Sequence, residues 1–149
     1  MSSPRKKLPA LPESAGRSVL VLAQPSQETD DLLADLMKRR DLHLLRVATV
    51  AAAVVALRDL LVSLVIVCSE TPGESVGALL GQIDVLRPGI PVLAVRDRKG
   101  EESAAWRARG VGILRSPVLP EVLSRTVDVA LGLANRIDAS QEVVRPPVR

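Results

Sequence analysis

The chain has no phenylalanine and no tyrosine, and only one tryptophan (Trp106), one cysteine (Cys68) and one histidine (His43) among its 149 residues. Each scarcity excludes something. Without ring faces there is no stacking platform of the kind that RRM-like or OB-like modules offer to single-stranded nucleic acid. One thiol cannot close an intrachain disulfide or build a cysteine-rich zinc site. One imidazole cannot supply a two-histidine metal site, and it weakens any Ser-His-Asp proposal. No apolar run reaches the roughly 18–20 residues that a membrane span needs. Arg5, Lys6 and Lys7 are not followed by an apolar stretch, so no secretory signal is read there and a cytoplasmic location is expected.

What is present is aliphatic. Hydrophobic residues make up 47% and charged residues 25%, the composition of a folded soluble domain rather than a disordered chain. The net charge of +3 is carried by the start of the chain, where Arg5, Lys6, Lys7 and Arg17 face only Glu13. The rest is balanced, so no specific nucleic-acid binding is expected. The basic leader is read as a solvated tail, with a weak, salt-sensitive contact to an anionic surface as the alternative. Residues 1–16, proline-rich and basic, are read as a flexible leader, residues 17–138 as one domain, and residues 139–149 as a flexible tail.

Between the tails, two kinds of segment alternate. Ser18–Leu22, Leu42–Ala48, Ser63–Val67, Pro91–Val95 and Val111–Leu114 are short apolar runs rich in Val, Leu and Ile, read as strands. Gln27–Arg40, a segment from the cap Thr49 to about Leu61, Ser75–Leu86, Glu101–Arg109 and Pro120–Ile137 carry apolar residues at helical spacing. Ser26 and Thr49 are placed to cap the first two helices. Strands alternating with helices through short, right-handed connections make a parallel sheet covered on both faces. For five strands the doubly wound order is the flavodoxin-like 2-1-3-4-5, a three-layer α/β fold whose chemistry sits at the carboxyl edge.

Three segments then resemble those of a bacterial response-regulator receiver domain. Ser63–Cys68, with Pro72 and Gly73 behind it, resembles strand 3 and its loop. Gly89–Val95 resembles strand 4. Gly112–Val118, followed by Pro120 and Glu121, resembles strand 5, its Lys-Pro turn and the entry to the last helix. The resemblance covers about Arg17 to Ile137. It implies an acidic pair after strand 1 and an aspartate ending strand 3, which together hold Mg²⁺ and accept a phosphoryl group. It also implies a Ser or Thr ending strand 4 and a Lys before the strand 5 proline. In this chain those positions are Ala23 and Gln24, Cys68, Arg96 and Ser116, and the switch aromatic falls on Ile113. The resemblance therefore implies a pseudo-receiver, with the fold kept and the phosphorylation pocket degenerate.

The remaining features have sharper and blander readings. Cys68 is a redox thiol or phosphoacceptor activated by Arg96 or Arg115, or simply a small buried side chain. Arg96, Arg98, Lys99 and Arg115 form a basic edge for an anion or nucleotide, or a solvated network with Glu70, Glu74 and Asp97. Trp106 is an interface anchor or a cover for the sheet edge. His43 is an ordinary strand residue, and the glycines match no phosphate-binding loop. The expected function is regulatory docking in a two-component-like pathway. A protein partner or a second copy binds through the fourth helix, fifth strand and fifth helix, with Trp106, Arg107, Arg109 and Arg125 on the interface. No catalysis, metal or cofactor is expected. An anion sensor and a Cys68-based redox protein are the alternatives.

Overall fold

The structure, a computed structural model, describes residues 17–68, 73–97 and 101–132. The leader 1–16 and the tail 139–149 lie outside the described residues. The elements are β1 (Arg17–Leu22), α1 (Gln27–Lys38), β2 (Leu42–Val47), α2 (Val50–Asp59), β3 (Leu64–Val67), α3 (Gly73–Leu86), β4 (Val92–Arg96), α4 (Glu101–Ala108), β5 (Gly112–Arg115) and α5 (Pro120–Ala130). All strand pairs are parallel, and the sheet runs β2-β1-β3-β4-β5, the doubly wound order expected from the sequence.

The order follows from burial. β1, β3 and β4 lie inside the sheet, and their Val, Leu, Ile and Ala side chains are covered on both faces, so their runs are apolar without alternation. β2 and β5 are the edges, where partly exposed residues are tolerated. The sheet splits the core in two. On one face Leu20, Leu22, Val65 and Ala94 pack against α2, α3 and α4 through Leu57, Val76, Leu79 and Trp106. On the other face Val19, Val21, Ile66 and Cys68 pack against α1 and α5 through Leu33, Leu36, Leu123 and Val127.

The expected caps form. Ser26 Oγ accepts from the Thr29 N–H at 3.1 Å and Thr49 Oγ1 from the Ala52 N–H at 3.0 Å, each satisfying an amide that the first helical turn leaves without a partner. The last helix ends earlier than its apolar spacing suggests. Leu131 caps it and Gly132 follows at φ +82°, a left-handed conformation that glycine adopts without a Cβ penalty. The remainder of the expected run, 133–137, lies outside the described residues.

Arg39, at the carboxyl end of α1, ties this helix to α5. Its Nε and Nη2 donate to the two carboxylate oxygens of Asp41 at 3.0 and 2.6 Å. Nη1 reaches Ser124 Oγ at 3.1 Å, and Nη2 pairs with Asp128 at 2.7 Å. The guanidinium's hydrogen bonds hold the Asp41 carboxyl below the usual carboxylate range. A carboxyl whose pKa is depressed on folding adds stability above its unfolded value, and this is lost as the pH falls through the folded value. Arg39→Met is therefore expected to cost about 1 kcal/mol at neutral pH, because solvent screens the half-exposed Asp41. Urea melts of both proteins should show the gap narrowing from about pH 5 to pH 2. A gap independent of pH would mean that the arginine acts through its apolar stem alone.

Candidate functional site at the carboxyl edge of the sheet

The backbone brings the expected positions to one edge by extending the ladder past the strand ends. The Ala23 N–H donates to Val47 O at 2.9 Å, the Cys68 N–H to Leu22 O at 3.0 Å, and the Ser116 N–H to Arg96 O at 2.9 Å. The Ser116–Pro117 peptide is cis. Gln24, exposed, donates from Nε2 to Ala48 O at 2.8 Å. Strand alternation then separates the side chains. Ala23 and Cys68 (1% exposed) belong to the core on the α1 and α5 side. Arg96 alternates with Val95 onto the opposite face, where its guanidinium carbon lies 5.1 Å from the centre of the Trp106 ring. Arg115 alternates with Leu114 onto that same face, in register with Arg96.

A cavity of about 180 Å³ opens beside Cys68, between α1 and the β5–α5 loop. Leu32, Val95, Val118 and Cys68 supply apolar wall, and Glu28 and Asp31 supply carboxylates. Asp31 accepts a hydrogen bond from Gln27 Nε2 at 2.9 Å. This corrects the reading in which Arg96 or Arg115 supplies a positive field at Cys68. The positive charges of Arg96 and Arg115 are on the other side of the sheet, while the side facing Cys68 carries acids. Arg98, Lys99 and Glu70 lie outside the described residues. Among the described residues, no three His, Cys, Asp or Glu side chains are grouped as metal ligands.

The expected interface residues also divide. Trp106 is buried, 5% exposed, and packs into the core, so the expectation of a ring presented at the surface is corrected. The cause is that α4 is short and almost all its apolar area is this one ring, which is the part that can anchor the helix to the sheet. Arg109 lies outside the same helix, ion-paired with Asp84, and donates from Nη2 to Leu80 O at 2.7 Å. Arg107 and Arg125 are exposed. Asp128, on the last helix three residues beyond Arg125, is half-buried against Arg39. Glu28 and Asp31 were not singled out from sequence. Their signal is positional: α1 starts at the carboxyl end of β1, so its first turn faces this edge, and residues three apart share a face.

No protein-family model matches the sequence, and a search of curated proteins finds no match. Solved structures do match. A CheY-like response-regulator receiver domain from Methanospirillum hungatei superposes with a TM-score of 0.68 at 16% identity, covering 81% of this chain and 98% of that one. The receiver domain of a sensor histidine kinase from Pseudomonas aeruginosa, solved with magnesium in its active-site cleft, gives a TM-score of 0.60 at 17% identity, covering 79% and 99%. A Sinorhizobium meliloti protein provisionally assigned to pilus assembly gives 0.61 at 17% identity, covering 76% and 98%. The fold is the CheY-like receiver fold. Among the described residues, no helix is long and apolar enough to cross a membrane.

Proposed function

We propose that the chain is a receiver-like regulatory domain that signals by protein contact, in a two-component-like pathway, without being phosphorylated. The observation that carries this reading is the chemistry of the carboxyl edge. The acceptor position is Cys68, buried in an apolar cluster. The acidic pair is replaced by Ala23 and by Gln24, whose amide is spent on Ala48 O. Ser116 stands where a lysine would balance phosphoryl charge. Glu28 and Asp31 bring carboxylates to the cavity but no acceptor aspartate and no cation. A phosphoryl group transferred here would find neither a nucleophilic carboxylate nor charge stabilisation. In this reading the protein is not an enzyme, and it works in the cytoplasm by docking within phosphorelay signal transduction without itself carrying the phosphoryl group.

The docking surface in this reading is α4, β5 and α5. β5 is an edge strand and leaves backbone groups that are better covered. Arg107 and Arg125 are exposed on the helices at either side. Cys68-based redox chemistry is disfavoured by its burial. An anion site on Arg96 is disfavoured because this side chain is 9% exposed and covered by Trp106.

Acetyl phosphate with Mg²⁺ is expected to add no stable mass to the protein, and beryllofluoride with Mg²⁺ to leave its amide NMR spectrum unchanged. A specific set of shifts around Cys68 and Ser116 would sink the reading.

A further inference from the structure

At the amino edge of the sheet, the end opposite Cys68, a second cavity of about 240 Å³ opens between the carboxyl ends of α3 and α4. Its wall is aliphatic: Leu80 and Ile83 from α3, Ile90 and Val92 at the entry to β4, and Val111 at the entry to β5. The two entry loops turn through Gly89 and Gly110, at φ +94° and +98°, and a Cβ on either would meet nothing within 4 Å. At roughly 30 Å³ per water in the liquid, the cavity has the volume of about eight waters, room for a molecule of about that many non-hydrogen atoms.

Two charged residues line this cavity, and their signs are opposite. Asp84 stands in the last turn of α3, a turn that carries no base, so the terminal carbonyls of the helix add to its negative charge. Arg109 follows the end of α4. It pairs with Asp84 and donates from Nη2 to Leu80 O at 2.7 Å. Both contacts are made through Nη2, and the other N–H groups of the guanidinium are left to serve a ligand. The mouth is therefore dipolar, negative on the α3 side and positive on the α4 side. A lone carboxylate drawn to Arg109 would meet Asp84 and the carbonyls of α3. A lone ammonium drawn to Asp84 would meet Arg109. A molecule that carries both charges one carbon apart satisfies each side and repels neither.

We infer that this cavity binds a free α-amino acid with an aliphatic side chain. The ligand carboxylate accepts from Arg109, its ammonium group donates to Asp84, and its side chain lies against Leu80, Ile83 and Val111. The wall presents no polar side chain beyond the charged pair, so an amide or hydroxyl on the ligand's side chain would be buried without a side-chain partner. The site is separate from the carboxyl edge, and it stands whether or not that edge accepts a phosphoryl group.

Titration of the isotope-labelled full chain with L-leucine, followed by amide NMR spectra, tests this. Leucine is expected to shift the amides of Gly89, Ile90, Gly110 and Val111 saturably, with a Kd of about 1 mM or below. Glycine lacks the side chain, isocaproate the ammonium and isoamylamine the carboxylate, and each should bind about tenfold more weakly. Asp84→Asn should weaken leucine about tenfold and leave isocaproate unchanged, while Arg109→Gln should weaken leucine as much and leave isoamylamine unchanged. A pair that only held α3 to α4 would lower the affinity for every compound alike, and that result overturns the proposal. The side chains of Asp84 and Arg109 are 65% and 31% exposed, so both variants are expected to fold, as circular dichroism melts will show. Should either fail to fold, the comparison of the four compounds on the wild type decides. No saturable shift up to about 20 mM leucine overturns the proposal. Leucine that binds no tighter than its three analogues, or that shifts the amides around Cys68 instead, also overturns it.

Discussion

Trp106→Ala is expected to lower the folding stability by about 3–5 kcal/mol, the usual cost of deleting a large aromatic from a core. The ring is 5% exposed and packs in the cluster that joins α2, α3 and α4 to the sheet. Its loss has a second consequence. Arg96, buried beneath it, loses both its cover and the attraction of the ring face, worth about 1 kcal/mol more. Set against the 5–15 kcal/mol that typically holds a domain together, this change takes a large share. Trp106→Phe keeps a ring for the arginine and should cost clearly less. Denaturant melts followed by circular dichroism measure both, since the variants lack the tryptophan signal. A loss below about 1 kcal/mol for Trp106→Ala, together with weakened association, would return the ring to the surface role that its residue type suggests.

That contrast shows what the sequence makes legible. The five strands were readable because buried parallel strands leave continuous apolar runs, and Ser63–Val67 has no other plausible use. The caps at Ser26 and Thr49 were readable because capping is local: the oxygen and the amide it satisfies are three residues apart. That Ala23, Cys68, Arg96 and Ser116 share one edge was readable because topology alone brings them to the same end of the sheet. The face that each side chain takes at a strand end was not readable. A shift of one residue turns a side chain to the other face, so Arg96 lies under Trp106 and the acids of α1 stand beside Cys68. The clasp from Arg39 to Ser124 and Asp128 was also hidden. It spans 85 residues and depends on how α1 and α5 lie against each other, which no local pattern encodes.

On the proposed reading of this edge, restoring one residue is not expected to restore phosphorylation. Cys68→Asp is expected to destabilise the protein by about 3 kcal/mol, the order of cost for burying a charged group without a partner. Position 68 is 1% exposed among valines and leucines. In a working receiver the carboxylate is offset by a metal, an acidic pair that holds the metal, and a lysine. In this chain Ala23, Gln24 and Ser116 provide none of these, Arg96 faces away, and Glu28 and Asp31 add charge of the same sign across the cavity. Burial and repulsion both favour the protonated form of the introduced carboxyl, raising its pKa on folding. An acid whose pKa is raised on folding destabilises above its unfolded value, so the deficit against wild type should shrink as the pH falls toward about 4. Urea melts at pH 7 and near pH 4 would measure this, and intact-mass analysis after acetyl phosphate treatment should show no adduct. A variant as stable as wild type that takes up a phosphoryl group would mean that the pocket still supports the chemistry and that Cys68 alone had silenced it.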